Sequence, residues 1–410
     1  MTTVNEQIDA WIDAHFDEEV GFLQALVQIP TDTPPGDNTP HAQRTAVLLG
    51  EMGLTAEAHA VPDDQVKAQG MTSITNLIVR RPFCEPGPTI ALNAHGDVVP
   101  PGDGWTQDPY GAKIVDGSVY GRAAAVSKSD FATYTFAVRA LESLGVKLKG
   151  AVELHFTYDE EFGGELGPGW LIKNKLTEPD YVLAAGFAYE VIAAHNGCLQ
   201  LEVTVHGNMA HAAIPASGVD ALQGATAILQ ALYARNDEYR QMQSAVPGIT
   251  HPYLNVGWIT GGTNTNVVPG KVVLRLDRRM IPEEDAEQVE REIRETIAKA
   301  AKTVAGIRID VHRLMLARAL QMPSERHLLA EALQRQATEV LGETVPVLGT
   351  PLYTDARLYG EAGAAVAIYG AGPRTVLESN AKRADEHLAL SDLRVATRVV
   401  ARTLHELLAM

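Results

Sequence analysis

The stretch F-T-Y-D-E-E-F-G-G, residues 156–164, decides how this chain is read. An apolar run stops there at Asp159, Glu160 and Glu161 and gives way to Gly163 and Gly164. Upstream, residues 152–158 alternate and are rich in β-branched and aromatic side chains, which predicts a strand that delivers the acids at its C-terminal end. Ligands of open α/β sheets bind at that end. The same acids could instead open a charged helix, with Glu165 and its neighbours set against the dipole. A second strand decides between the two readings. Residues 89–94, T-I-A-L-N-A, run into His95 and Asp97, so two predicted strands end in ionisable groups and point to a shared catalytic floor.

Around these strands, 410 residues allow a large core and more than one domain. A content of 46% hydrophobic and 21% charged residues is that of a globular chain. With 34 basic against 51 acidic residues, 34 − 51 = −17, no basic stripe is available for nucleic acid or an anionic membrane. Cys84 and Cys198 are too few for a disulfide framework or a cysteine zinc site. The start, M-T-T-V-N-E-Q-I-D, lacks the basic and apolar regions of an export signal, and no window reaches transmembrane length. The expected setting is the cytoplasm, with a small molecule as partner.

Apolar spacing predicts helices at 4–29, 41–52 and 129–144, strands at 75–80, 89–94, 152–158 and 181–185, and an irregular wall at 100–121. The pattern then changes character. Strands at 198–206, 253–260, 271–278 and 308–314, with helices at 220–233 and 282–304, give the order β-α-β-β-α-β of a split βαβ unit. Helices at 324–341, 354–360 and 390–408 and a strand at 365–369 restore the first pattern, so the small unit is an insertion.

Seven motifs, in order along the chain, carry a likeness. They are H-G-D-V-V-P from His95, Y-G-R from Tyr120, D-E-E-F-G-G from Asp159, G-N-M-A-H from Gly207, G-G-T-N-T-N-V-V-P from Gly261, D-R-R from Asp277 and T-D-A-R from Thr354. In order and spacing they resemble the zinc aminopeptidase-like superfamily, which includes acetylornithine deacetylase, succinyl-diaminopimelate desuccinylase, aminoacylase and glutamate carboxypeptidase. The resemblance implies a phosphorylase/hydrolase-like α/β catalytic domain with a central mixed sheet at 1–195 and 314–410. It also implies an inserted ferredoxin-like lid at 196–313 that forms a homodimer, and two zinc ions held by five side chains.

By this resemblance His95 matches the first ligand, with Asp97 behind it in the orienting role, and Glu161 matches the ligand after the general base. The other three positions differ. The stretch G-R-A-A-A-V-S-K-S, residues 121–129, has Val126 where the family has a bridging Asp. Phe187 stands where the family has an acid, and in A-K-R-A-D-E, residues 381–386, Lys382 replaces a histidine. Asp130, Glu190 and His387 are the nearest substitutes, but each is offset along its element and would point elsewhere. Zinc wants about four N, O or S donors, and a lysine ammonium has no lone pair to give. The expectation is therefore no cofactor, or at most one weakly held divalent cation.

The remaining equipment matches the family. Glu160 corresponds to the general base and His211 to the lid histidine that reaches the partner's site and stabilises the oxyanion. Arg357 and Thr354, with Arg279 and Asn266 from the lid, correspond to the groups that grip a substrate carboxylate. Taken singly, His211 reads as an ordinary surface or core histidine and each arginine as a salt bridge.

Two acids lost and one base gained balance the charge of a site without metals. The sequence therefore points to a metal-independent, divergent member of the family acting on a small carboxylate-bearing, amino-acid-like substrate. Glu160 would be its base, and Lys382 and His211 its electrophiles. Plain amide hydrolysis is difficult without a Lewis acid. Hydrolysis of an activated amide or imine, C–N or C–C cleavage, and isomerisation all need less. Two alternatives stay open: a binding protein for N-acyl amino acids, and an ordinary zinc-dependent N-acyl amino acid amidohydrolase.

Overall fold

The structure is a computed structural model and describes residues 2–323, 326–375 and 377–409. The chain divides into two compact units. The larger comprises Met1–Ala193, Met322–Leu348 and Thr354–Met410, and the smaller Ala194–Gln321 and Gly349–Tyr353.

In the larger unit a mixed sheet runs in the order Ala56–Ala60, Thr75–Pro82, Lys149–Thr157, Glu85–His95, Tyr181–Ala184, Ala365–Ile368 and Val191–His195. Its middle strands are parallel and its flanks antiparallel. Buried on both faces, the parallel strands read as near-continuous apolar runs. The segment at 4–29, expected as one or two helices, is one helix, Val4–Val27, opened by a capping box in which Thr3 and Glu6 bond each other's N–H groups. It packs with Lys128–Ser143 and Leu390–Leu408, and Lys128–Ser143 in turn covers the strands Glu85–His95 and Lys149–Thr157. The helix expected at 324–341 is Leu328–Leu341; residues 324 and 325 lie outside those described.

Residues 100–121, expected to be irregular, contain the short strands Lys113–Val115 and Ser118–Tyr120. These join His387–Ala389 in a three-stranded sheet. Strands this short carry too little alternation to be seen in sequence.

The smaller unit has the order β-α-β-β-α-β, with antiparallel strands arranged Tyr253–Gly261, Lys271–Met280, Gly197–His206 and Arg308–Ala317. Ala221–Tyr239 and Ala286–Ala301 supply its helices. Alternation along Gly197–His206 and Lys271–Met280 buries one face in a separate core. This unit also takes in 349–353, because Gly349 N–H donates to Pro247 O at 2.7 Å and Asn196 N–H to Thr350 O at 3.1 Å. Among the described residues no helix is long and apolar enough to cross a membrane.

Candidate active site

Parallel pairing sets Asn93 beside His155 and His95 beside Thr157, so the two strands singled out in the sequence end together. Beyond them the acids form a tight turn. Asp159 Oδ2 accepts Leu166 N–H at 2.5 Å and its carbonyl accepts Gly164 N–H at 2.8 Å. Gly163 and Gly164 take left-handed φ values of 104° and 78°, and a Cβ at 164 would lie 2.1 Å from Asp355 Oδ1. Glycine is required there.

Asp97 is fully buried, and its carboxylate accepts the N–H groups of Glu160 and Glu161 at 3.3 and 3.0 Å. Those are the donors that the start of a helical turn leaves unpaired. Its expected role of orienting His95 falls more to its backbone: His95 Nδ1 lies 3.0 Å from Asp97 O and 3.5 Å from Oδ1. The other ring nitrogen, Nε2, is 3.8 Å from Glu160 Oε2.

Lys382, 221 positions from Glu161 in sequence, donates from Nζ to Glu161 Oε2 at 2.7 Å. Its backbone is left-handed, with φ 61°. Ser127 Oγ accepts His95 N–H at 2.9 Å, which places the turn containing Val126 against His95. Phe187 bridges Gly372. Of the substitute donors, Asp130 accepts Ala371 N–H at 2.7 Å through Oδ1, its Oδ2 being buried without a hydrogen bond, while His387 stacks on Tyr120 and lies 2.8 Å from Asp385 O. Among the described residues, no three His, Cys, Asp or Glu side chains form a set able to hold a metal.

The charges of the site follow from burial and proximity. Burial alone would lower the pKa of His95, but the carboxylates of Glu160, Asp97 and Glu161 push it up to about 10. Glu160 is raised by burial and by Glu161, against the pull of His95 and Lys382. Lys382, whose side chain is 62% exposed, is raised by the nearby carboxylates of Glu160 and Glu161.

Four expected substrate contacts are placed differently from one another. Arg357 is buried, its side chain 3% exposed. It donates to Gly163 O at 2.6 Å and lies 3.5 and 3.6 Å from Glu165 and Glu361, bracing the acidic turn from behind. Thr354 Oγ1 accepts Ala356 N–H at 3.2 Å. In the smaller unit Arg279 pairs with Asp277 at 2.7 Å and lies over Tyr353, whereas Asn266 and His211 are exposed.

Three buried features went unread in the sequence. Asp355 is held well above the usual carboxylate range by burial and by Glu160 and Asp159. Lys128, fully buried, donates to Ile29 O at 2.8 Å, and burial lowers its pKa to about 7. Arg122 and Glu386 form an ion pair at 2.6 Å with each side chain 2% exposed. The Y-G-R and A-D-E motifs contained the last pair, but their partnership spans 264 positions.

Residues 91–406 match the sequence profile of Peptidase family M20/M25/M40. The chain belongs to that family. It is 29% identical over 270 residues to a succinyl-diaminopimelate desuccinylase of Gluconacetobacter diazotrophicus, a match covering 62% of this chain and 65% of that relative's length. In fold it is similar to a di-peptidase of Saccharomyces cerevisiae, with a TM-score of 0.78, 15% identity and 98% of both chains covered. Human carnosine dipeptidase 1 gives a TM-score of 0.75 at 17% identity over 99% of both chains. An M20 family metallo-carboxypeptidase of Sulfolobus solfataricus gives 0.76 at 18% identity, over 95% of this chain and 98% of that one.

Proposed function

We propose that this M20 chain is a hydrolase of a small, carboxylate-bearing, amino-acid-like substrate that works without zinc. Glu160 is its base, and Lys382, with His211 from a second copy, its electrophile. The carrying observation is the 2.7 Å contact of Lys382 Nζ with Glu161 Oε2, beside the acid that matches the family's base. A di-zinc centre does not fit these side chains. His95 and Glu161 are the remaining donors of the family set, and a cation already occupies one Glu161 oxygen. Val126 and Phe187 offer no donor atom, and zinc needs about four.

The chemistry assigned to these residues is acyl transfer to water. Glu160 removes a proton from a water molecule as its oxygen attacks the acyl carbon. The Lys382 ammonium, with the His95 imidazolium beside Glu160, offsets the negative charge that develops on the acyl oxygen. The C–N bond then breaks, and the proton held by Glu160 passes to the departing amine. An activated acyl group suits such a site, because a lysine polarises a carbonyl less than a metal does. The exposed side chains of Met209 and Ile214 flank His211 and suit the docking of a second copy.

The test is an assay on N-trifluoroacetyl amino acids, whose acyl group is activated, alongside N-succinyl and N-acetyl amino acids, after exhaustive chelation, with metal content measured on the same sample. Turnover that survives EDTA and is lost in Glu160→Gln is expected. Near-stoichiometric zinc with inactivation by EDTA would establish an ordinary zinc amidohydrolase, and saturable binding without turnover a binding protein.

A further inference from the structure

We infer that the buried Arg122–Glu386 pair is the positioning device that sets Lys382 on Glu161. This rests on the reading of Lys382 as the cation of the site and deepens it. The loop carrying Lys382 holds three non-glycine residues in the left-handed region: Asn380 at φ 52°, Lys382 at 61° and Asp385 at 56°. Each costs on the order of 1 kcal/mol, so the conformation persists only where its surroundings over-determine it.

The anchors of the loop are all in place. Asp385 accepts Thr106 N–H and Oγ1–H at 2.8 Å each and Gln107 N–H at 3.0 Å. His387–Ala389 pairs with Ser118–Tyr120. Glu386 reaches the backbone of the lysine. Its Oε2 accepts Arg122 Nη1–H at 2.6 Å and the N–H of Lys382 at 3.3 Å, while Oε1 accepts Ala125 N–H at 3.3 Å. Arg122 is fixed in turn by Pro101 O at 2.9 Å and by the Trp105 ring at 5.2 Å.

One carboxylate therefore joins two segments of the site. On one side it holds the backbone of Lys382. On the other it holds the turn through Ala123, which is itself left-handed at φ 65° and leads to Ser127, the acceptor of His95 N–H. Neither Arg122 nor Glu386 touches Glu160 or Glu161, so both are positioning residues. Without the pair, the lysine backbone is free to leave the left-handed region and carry the ammonium off Glu161.

The experiment compares wild type with Arg122→Met/Glu386→Leu, which removes both charges and leaves no lone buried ion. Thermal melting checks the fold, and Glu386→Gln carries the same readouts if the double variant does not melt cooperatively. Each lysine is acetylated with an N-hydroxysuccinimide ester and its rate read by peptide mass mapping. An ammonium held at 2.7 Å on a carboxylate is less available to the ester than one without that contact, so wild-type Lys382 should lag Lys147 by about tenfold or more, although both are exposed, and the variant by less than about threefold.

The second readout is a double-mutant cycle on kcat/KM with an N-succinyl amino acid. Lys382→Ala and the pair variant should each lose about tenfold or more, and their combination no more than Lys382→Ala alone. A merely structural pair would give additive losses. Additive losses, or a folded variant whose Lys382 still reacts slowly, overturn the assignment. If wild type turns over no such substrate, the acetylation arm decides alone, so failure of the proposed reaction and failure of the positioning role remain distinct.

Discussion

Clustered carboxylates raise the pKa of His95, against its burial, and that of Lys382, whose side chain is 62% exposed, which favours a cation at each position beside Glu160. Glu160 is raised by burial but drawn down by both cations. Removing one cation should raise it further. Lys382→Ala is therefore expected to lower kcat/KM by more than about tenfold, equivalent to about 1.4 kcal/mol, and to move the acid limb of the pH–rate profile to higher pH. An unmoved acid limb would show that Lys382 does not tune the base. Arg357→Ala is expected to act on stability, since it leaves the Gly163 carbonyl unpaired in a buried position. A loss of about 1–3 kcal/mol in urea denaturation is expected, whereas unchanged stability with a raised KM would return Arg357 to the substrate. The acid triplet was legible because an abrupt change from apolar to ionised residues is a local signal. The setting of Arg357 was not legible, because its residue type suits a clamp and a brace equally and its bond to the Gly163 carbonyl joins positions far apart in the chain.

Elements were legible where periodicity was long. The strand that ends at Thr157 and the helices of the larger unit follow their apolar patterns, and the β-α-β-β-α-β order of the smaller unit follows from alternation broken by turns. The hairpin of Lys113–Val115 and Ser118–Tyr120 was not legible, since its pairing with His387–Ala389 depends on residues far along the chain. Packing between helices was equally hidden. Glu19, on Val4–Val27, is fully buried against Leu390–Leu408, where its Oε1 accepts Thr397 Oγ1–H. Burial raises its pKa to about 8, above about 4.3 for an unfolded glutamate. The folded state thus keeps a proton that the unfolded chain loses, and this contribution is complete below about pH 4 and disappears as pH rises toward 8. Glu19→Gln, neutral throughout, should shrink the stability difference between about pH 5 and pH 8 in urea denaturation. An unchanged slope would mean that Glu19 is ionised in the fold.

At the scale of the whole molecule, the proposed reaction draws His211 from a second copy of the chain. His211 sits exposed on the smaller unit, paired in a short strand with Val267, and Ala213 N–H donates to its Nδ1 at 3.0 Å, so Nε2 remains the nitrogen to offer a substrate. If His211 of one copy completes the site of another, Glu160→Gln and His211→Ala are complementary defects. Each homodimer alone has both sites impaired. A mixed dimer contains one site with neither substitution, provided each site draws Glu160 from one chain and His211 from the other. Random re-pairing of equal amounts makes about half the dimers mixed, each with one intact site, so activity should return to about a quarter of wild type. The measurement is kcat/KM before and after mixing the two inactive variants under conditions that exchange subunits, with dimer content followed by light scattering. Recovery in a dimeric sample fixes His211 as a residue acting across the interface. A dimeric mixture that stays inactive, or a wild-type monomer with full activity, removes His211 from the reaction and leaves Lys382 and His95 as its only electrophiles.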